Sequence, residues 1–289
     1  MSETAAPRTA REMLARGKEF LAKKGVAEAR LDAELLVAHA LGLDRLHLYL
    51  ELDRPVEAAE IDRGRALLVR RAAGEPAAYL TGAREFYGRP FRVGPGVLIP
   101  RPETELLVDV VRERLAGAAA PRLAELGTGS GCIAVTLALE LPGAEVHAVE
   151  RSERALQFAR ANAAALGAAV RFHAGDGLAP LRAAAPFAAL VANPPYVDPA
   201  ARETLPREVR DHEPVEALFA PPGDPDHWLR RLLEDGPSLL GPGSLLLIEL
   251  GHDQAPRARA LAAARALPAE FHADLAGIER VLAVTLPRG

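Results

Sequence analysis

A stiff polar turn at residues 193–196 (Asn-Pro-Pro-Tyr) offers the most specific chemistry in the sequence. The apolar stretch that leads into it predicts a buried strand that ends at the turn. Pro194 and Pro195 have fixed φ angles and no N–H, so the turn is rigid and rich in carbonyl acceptors. The Asn193 carboxamide can both donate and accept hydrogen bonds. The turn is therefore suited to bind a planar group that carries an –NH₂.

An amide or an exocyclic amine fits such a turn because its two N–H groups need two acceptors. The Asn193 side-chain oxygen would accept one hydrogen bond, and the backbone carbonyl of Pro194 would accept the other. The Tyr196 ring would lie against the flat face of the bound group. Such a site holds a nitrogen ready to be alkylated. The four residues alone are equally consistent with a structural loop that ends a strand.

A glycine-rich turn lies upstream, between a predicted strand at 122–126 and a predicted helix. Glycine lets the backbone turn sharply and approach a ligand closely. The spacing differs from the dinucleotide motif, and the segment lacks the Gly-Lys of a phosphate loop. We therefore expect the turn to bind a nucleoside-like ligand without phosphates. Its residues are Gly127, Thr128, Gly129, Ser130 and Gly131.

Acidic residues follow the next two predicted strands. Glu150 lies about 20 residues beyond the glycine-rich turn, where a carboxylate accepts hydrogen bonds from ribose hydroxyls. Asp176 could accept a hydrogen bond from an adenine amino group, although an Asp-Gly turn with Gly177 is the structural alternative. Parallel strands end at one edge of a sheet, where open α/β folds bind ligands. We expect the four strand ends to form one site for an adenosyl ligand.

Composition describes an ordinary globular protein. The chain has 289 residues, of which 49% are hydrophobic and 26% charged, enough for one large or two ordinary domains. The net charge of −4 argues against binding driven by phosphate contacts, so we predict no sequence-specific nucleic-acid binding. The single cysteine, Cys132, excludes an intrachain disulfide and a cysteine-based metal site, and no metal is predicted.

The cellular location that we expect follows from two patterns that were not found in the sequence, a membrane span and a signal peptide. No apolar run reaches the roughly 18 residues of a membrane span. The first ten residues lack the charged and apolar pattern of a signal peptide. We predict a cytoplasmic protein without membrane contact, and we expect a monomer.

Periodicity divides the chain into three regions. Residues 1–73 predict a small all-α domain because leucines recur at helical spacing. Residues 74–101 contain short aromatic pieces between glycines and prolines, which predict a connector with a β-hairpin across residues 88–90. In residues 102–289 strands and helices alternate, which predicts an α/β fold with a mostly parallel sheet and helices on both faces.

The α/β region is predicted in detail. Its strands are expected at 122–126, 145–150, 169–173, 187–192, 244–250, 268–273 and 280–286. Its later helices are expected near 131–140, 153–166, 226–240 and 254–265. Residues 197–225 contain six prolines and are predicted to form a long loop beside the site.

Together these motifs resemble class I S-adenosylmethionine-dependent methyltransferases of the Asn-Pro-Pro-Tyr type. DNA adenine and protein glutamine methyltransferases share this turn, so it indicates the reaction type and leaves the substrate open. The connector is more specific. It resembles the peptide-chain-release-factor glutamine methyltransferases (the HemK/PrmC family) in the segments Glu75–Gly82, Glu85–Gly88 and Val93–Glu105, as does the later segment Asp274–Val281.

The resemblance implies a Rossmann-like class I methyltransferase fold with a seven-stranded sheet. It implies that S-adenosyl-L-methionine donates a methyl group and leaves as S-adenosyl-L-homocysteine. The substrate would be the side-chain amide nitrogen (N5) of the glutamine in the Gly-Gly-Gln loop of bacterial release factors. We predict that the helical domain, together with the connector, recognises the folded release factor.

The resemblance also implies roles for the motif residues. Asn193, Pro194 and Tyr196 would act in catalysis, and Pro195 would join them in binding the substrate. The cofactor would be held by Gly127, Thr128, Gly129, Ser130, Gly131, Glu150, Asp176, Gly177 and Asn193. Arg101, Glu103 and Thr104 would either line the site or cap a helix.

Gly177 departs from the family pattern. Some members carry an aromatic residue there, which would flank the adenine. In this chain other residues must pack the adenine, such as Leu178.

Other functions remain open at this point. Ribosomal-protein glutamine methyltransferases carry a different connector and rank second. A DNA adenine N6-methyltransferase would need a recognition domain and a basic channel. A non-catalytic adenosyl-binding protein would not need an intact Asn-Pro-Pro-Tyr turn.

Overall fold

The computed structural model describes residues 6–288, which divide into two compact units. The helical unit comprises the described residues up to Ala83 together with the later segment Pro206–His212. The sheet unit comprises Arg84–Leu205 and the described residues from Glu213 onward. Among the described residues, no helix has both the length and the apolarity to cross a bilayer.

The described helices and strands are numbered here in chain order. The helices are α1 (Ala10–Lys23), α2 (Ala29–Ala40), α3 (Arg45–Leu50), α4 (Ala58–Ala72), α5 (Ala77–Thr81), α6 (Glu105–Arg114), α7 (Cys132–Glu140), α8 (Glu153–Leu166), α9 (Arg207–His212), α10 (Val215–Leu218), α11 (His227–Asp235) and α12 (Ala255–Ala263). The strands are β1 (Ala83–Phe86), β2 (Arg89–Arg92), β3 (Arg122–Leu126), β4 (Glu145–Glu150), β5 (Val170–Ala174), β6 (Phe187–Ala192), β7 (Leu240–Glu249), β8 (Ala269–Ala273) and β9 (Glu279–Thr285).

The sheet unit confirms the predicted α/β fold. Its described strands form a seven-stranded sheet in the order β5-β4-β3-β6-β7-β9-β8. Strands β3 to β7 are parallel, and β9 runs antiparallel to both of its neighbours. The carboxyl ends of β3, β4, β5 and β6 therefore meet at one edge of the sheet, as the strand pattern predicted.

Apolar side chains alternate between the two faces of this sheet, as the pleat of a β-strand requires. On β7, Leu245 and Leu247 belong to the core that includes α6 and α7. Leu246 and Ile248 belong to the core on the other face, which includes α11 and α12. Because both faces are covered, the strands are buried and hold their carboxyl ends in fixed positions.

The predicted hairpin is confirmed, although its turn lies earlier than expected. β1 and β2 pair through a two-residue turn at Tyr87 and Gly88, which have φ angles of 53° and 69°. Positive φ at both central residues is the geometry that joins twisted strands tightly. The prediction centred the turn on residues 88–90, but Arg89 already belongs to β2. Phe86 and Phe91 then pack edge to face in the core.

The prediction of a long loop at 197–225 was wrong. The segment contains a 3₁₀ helix (Pro199–Thr204), α9 and α10. Three of its six prolines stand at helix starts: Pro199 is the first residue of the 3₁₀ helix, and Pro206 and Pro214 directly precede α9 and α10. Proline is tolerated at a helix start, where its missing N–H costs nothing. Helix α11 was predicted to reach residue 240 but ends at Asp235, and a 3₁₀ helix (Gly236–Leu239) follows it.

The segment α9 belongs to the helical unit through an ion-pair network. Arg71 on α4 contacts Glu208 on α9 and donates to Asp32 on α2 at 2.6 Å. Arg71 and Asp32 are both buried, so these charges need each other as partners. The helical unit is thus completed by residues that lie far along the chain from its other helices.

Candidate active site

A cavity of about 310 Å³ opens where β3, β4, β5 and β6 end. Its wall brings together motifs that are dispersed over the sequence. The lining includes predicted site residues from all four strand ends, namely Gly127, Thr128, Gly129, Ser130, Glu150, Asp176, Gly177, Asn193, Pro194 and Pro195. These lining residues all belong to the sheet unit.

Gly131 lies behind the cavity wall and packs two helices together. It precedes α7 with a φ of 83°, a conformation that favours glycine. A Cβ at this position would lie 3.1 Å from the Cα of Ala159 on α8. Because glycine has no side chain at this position, α7 and α8 can pack closely against each other.

Glu125 on β3 fastens the glycine-rich turn to the start of α7. Its carboxyl oxygen Oε2 accepts hydrogen bonds from the Thr128 hydroxyl at 2.5 Å and from the backbone N–H of Ala134 at 3.1 Å. Burial raises the pKa of Glu125 to about 8. The group is therefore mostly neutral at pH 7 and imposes no full charge on the cavity.

Glu150 is held at the cavity wall by two backbone hydrogen bonds. Its Oε2 accepts the Gly129 N–H at 2.9 Å, and its Oε1 accepts the Ser152 N–H at 2.9 Å. A carboxylate offers about four lone-pair positions, so both oxygens retain acceptor capacity toward the cavity. The two backbone hydrogen bonds fix the orientation of the carboxylate.

The wall beside Asp176 is completed by α11. Gly177 has a φ of 65°, and a Cβ there would lie 3.5 Å from Nη2 of Arg231. The Arg231 guanidinium lies 5.3 Å from the centroid of the Trp228 ring, and Trp228 lines the cavity. The suggested residue Leu178 is buried in the core beneath the sheet. Trp228 therefore places an aromatic surface in the cavity wall.

The Asn193 carboxamide has a defined hydrogen-bond partner. Its Nδ2 donates to the Thr104 hydroxyl oxygen at 3.2 Å. The side-chain oxygen of Asn193 is then the acceptor that remains for a ligand. Thr104 is buried and lines the cavity, as does Arg101. Arg101 and Thr104 thus take the first of the two predicted roles and line the site, whereas Glu103 is exposed and lies outside the cavity lining formed by the described residues.

Tyr196 is half-buried, and its ring lies against Gly251 instead of in the cavity wall. A Cβ on Gly251 would lie only 3.0 Å from Cδ2 of the ring, so this contact requires glycine. Burial raises the pKa of Tyr196 to about 12, which keeps its hydroxyl neutral. The ring supports the end of the Asn-Pro-Pro-Tyr turn from behind.

A buried carboxylate holds the connector beside the site. Glu213 accepts the backbone N–H of Ile99 at 3.1 Å and the Arg101 guanidinium at 2.5 Å. Glu213 is 5% exposed, and its charge is matched by Arg101. The connector segment that carries Arg101 is therefore fixed by a residue more than a hundred positions later in the chain.

Sequence reasoning missed Trp228 and Glu249 at this site. Trp228 is the single tryptophan of the chain, but no spacing rule links the start of α11 to the end of β5. Glu249 ends β7 beside Asn193, because Ala192 pairs with Ile248 in the parallel register. The same rule that identified Glu150, a polar residue at the end of a buried strand, could have identified Glu249.

Comparison with protein families gives two matches. Residues 12–82 match the model described as the PrmC N-terminal domain. Residues 102–208 match the model described as the methyltransferase small domain.

Curated relatives match over most of their length. The release factor glutamine methyltransferase of Chlorobaculum tepidum is 45% identical over 260 residues, which cover 86% of this chain and 88% of the relative. The release factor glutamine methyltransferase of Bordetella pertussis is 46% identical over 268 residues, which cover 91% of this chain and 97% of the relative.

Solved structures show the same fold in more distant proteins. The T. thermophilus 16S rRNA N2 G1207 methyltransferase, solved in complex with AdoMet and guanosine, matches with a TM-score of 0.51 and 20% identity. The match covers 71% of this chain and 49% of that chain. At this identity the likeness concerns the fold alone.

Glu125 makes stability depend on pH. Its pKa is about 8 in the folded chain, against an ordinary value of 4.5. Between these values the folded state keeps a proton that the unfolded state has lost, so stability falls as pH rises from about 5 to 8. We expect Glu125→Gln to remove this loss, which is on the order of a few kcal/mol.

Urea denaturation of the ligand-free protein at a series of pH values measures this effect. The exposed Glu153→Gln change is the matched control and should leave the pH dependence of wild type intact. Parallel stability curves for Glu125→Gln and wild type would contradict the assignment.

Proposed function

The chain belongs to the release factor glutamine methyltransferases, and on that basis we propose that its cavity joins S-adenosyl-L-methionine to a release-factor glutamine. The acceptor atom is the side-chain amide nitrogen (N5) of the glutamine in the Gly-Gly-Gln loop. A release-factor substrate also implies that the enzyme works in the cytoplasm, where translation takes place.

The orientation of Asn193 is the observation that carries this proposal. Because Asn193 Nδ2 donates a hydrogen bond to Thr104, the Asn193 side-chain oxygen is available to accept one N–H of a substrate amide. The Pro194 carbonyl accepts the other N–H. With both hydrogens held in this way, the amide plane is fixed, and the lone pair of the nitrogen lies along the axis perpendicular to it. The site thus lowers the barrier by positioning the nitrogen.

S-adenosylmethionine would supply an electrophilic methyl group when bound, and the electron pair of the broken carbon–sulfur bond would stay on the sulfur of S-adenosylhomocysteine. The amide nitrogen forms the new nitrogen–carbon bond and releases one proton to water. An amide nitrogen is a weak nucleophile because its lone pair is delocalised. The hydrogen bonds from the substrate to Asn193 and Pro194 hold the –NH₂ group where its lone pair is best aimed.

The cavity fits an adenosyl group in three places. The glycine-rich turn offers close backbone approach, since Gly127 and Gly129 adopt positive φ angles of 75° and 54°. Glu150 retains acceptors for the ribose hydroxyls. Asp176 is suited to the adenine amino group, and Trp228 to the adenine face. No phosphate-binding residues are needed for such a ligand.

We assign recognition of the folded release factor to the helical unit. Its helix α3 exposes Leu46 and Leu50, which are 66% and 72% accessible. These residues are one helical turn apart and share a face, so they form a small apolar surface. An exposed apolar surface of this kind suits a protein partner.

The reaction is tested with labelled S-adenosylmethionine, purified release factor, and a release factor whose Gly-Gly-Gln glutamine is changed to alanine. We expect label in the unmodified factor alone. Asn193→Ala should lower the rate by roughly 10²- to 10³-fold, the usual effect of removing one positioned hydrogen-bonding group.

Duplex DNA and ribosomal proteins serve as competing substrates in the same assay. Label in DNA would favour adenine methylation, and label in a ribosomal protein would favour the related glutamine methyltransferases. Label in the Gln→Ala factor would place the modification elsewhere.

The adenine contact is tested by fluorescence, because Trp228 is the single tryptophan. We expect S-adenosylhomocysteine to change its emission. Trp228→Ala should weaken binding roughly tenfold by calorimetry, in line with about 1.5 kcal/mol for an aromatic stack. Trp228→Phe is the control that preserves an aromatic face. Binding by calorimetry without any change in emission would show that adenine packs elsewhere.

The surface on α3 is tested with the double change Leu46→Asp and Leu50→Asp. We expect a higher KM for the whole release factor, because charges replace the apolar contact, and an unchanged affinity for S-adenosylhomocysteine. Leu275→Asp, at a fully exposed leucine of the sheet unit, controls for added charge. An unchanged KM would refute a role for this surface.

A further inference from the structure

A buried carboxylate lies directly behind the Asn193 turn. Glu249 is 4% exposed and ends β7, the strand next to β6. The pairing of Ala192 with Ile248 places Asn193 and Glu249 at matching positions one residue further on. Glu249 lies outside the cavity lining formed by the described residues, so it reaches a ligand only through its neighbours.

Thr104 connects Glu249 to Asn193. The Thr104 hydroxyl lies within reach of the Glu249 carboxylate, and its oxygen accepts from Asn193 Nδ2 at 3.2 Å. The carboxylate oxygen Oε2 of Glu249 is buried without a hydrogen-bond partner among the described residues. A buried acceptor in that state binds any available proton donor strongly.

This chain of bonds determines which way the Asn193 amide faces. A threonine hydroxyl has one proton, and an ionised carboxylate can only accept, so the proton is committed to Glu249. The lone pairs of Thr104 then face Asn193, which must present its –NH₂. A flipped amide would put two acceptors together without a proton between them.

We propose that Glu249 is a positioning residue for methyl transfer, acting through Thr104 to hold the Asn193 oxygen toward the substrate amide. The proposal rests on the function assigned above, in which that oxygen receives a substrate N–H. Neither Glu249 nor Thr104 contacts the reacting atoms in this role. Both act by excluding the wrong orientation of one amide.

Charged groups on several elements face Glu249. Arg280 on β9 and Arg101 in the connector are attractive, and Glu103 is repulsive. Tyr196 and Cys132 also lie within its electrostatic reach. Each arginine already has its own partner, since Arg280 donates to Asp274 at 3.0 Å and Arg101 donates to Glu213. The charge of Glu249 is therefore incompletely compensated.

The protonation state of Glu249 determines whether the Asn193 side-chain amide has one allowed orientation or two. Burial raises the pKa of Glu249 to about 7, despite the hydrogen bond from Thr104 and the nearby arginines. A protonated carboxyl can donate to Thr104, which frees the threonine proton to turn toward Asn193. Both amide orientations are then allowed. We expect kcat to rise with pH through about 7 and to level off above it.

The experiment compares kcat between pH 6 and 8.5 for wild type, Glu249→Gln, Thr104→Ser and Thr104→Val, with release factor as substrate. In Glu249→Gln, kcat should no longer rise with pH through about 7 (the pH limb), because glutamine does not titrate. Thr104→Val should lower kcat by roughly 100-fold, the scale of a misplaced reacting group. Thr104→Ser keeps the hydroxyl and should restore most of the rate.

Controls separate this role from a general loss of structure. Each variant should retain the Trp228 fluorescence response to S-adenosylhomocysteine, which reports folding and cofactor binding. Glu140→Gln, at a partly buried carboxylate bonded to Arg89 and Arg112, should keep both the rate and the pH limb. If Glu249→Gln does not fold, the valine and serine variants of Thr104 decide the question.

Two outcomes would overturn the proposal. One is a Glu249→Gln enzyme with the wild-type rate and the wild-type pH limb. The other is a Thr104→Val enzyme with the wild-type kcat. Inactive wild type would instead refute the function assigned to the cavity, so the two failures are distinguishable.

Discussion

The site depends on the parallel pairing of β6 with its two neighbours. Leu126 of β3 pairs with Ala192 of β6, and Ala192 pairs with Ile248 of β7. Because these positions are in register, the residues that follow them stand side by side at one edge of the sheet. A slip of one residue would turn every side chain of β6 to the opposite face and separate the turn from its partners.

Two buried carboxylates flank the Asn-Pro-Pro-Tyr turn, one on each neighbouring strand. Glu125 on β3 accepts a hydrogen bond from Thr128, and Glu249 on β7 lies within reach of the Thr104 hydroxyl. In each pair a threonine of the cavity wall lies next to a buried acid.

Much of this site was predictable because its chemistry is local in sequence. The glycine-rich turn, Glu150 and the Asn-Pro-Pro-Tyr turn each follow an apolar strand, and the strand pattern places them at one edge. Trp228 was not predictable, because its place depends on how α11 packs across the sheet. The packing role of Gly131 became visible only with the distance to Ala159, which no spacing rule contains.

The helical unit likewise could be predicted only in part from local sequence. Its early helices follow from leucine periodicity, but α9 joins them through Arg71 and Glu208, which are far apart in the chain. The prolines between residues 197 and 225 indicated a loop because proline both breaks and starts helices. Deciding between these roles requires the tertiary partners, which the local sequence does not contain.

The late position of α9 has a consequence for synthesis on the ribosome. The helical unit begins at the amino terminus, but it lacks Pro206–His212 until most of the sheet unit has been translated. At about 5–20 residues per second, the intervening segment takes on the order of ten seconds to emerge. Until then Arg71 lacks Glu208 as a partner. The helical unit should therefore reach its final state after the ligand-binding strands have been made, against the usual order of domain maturation.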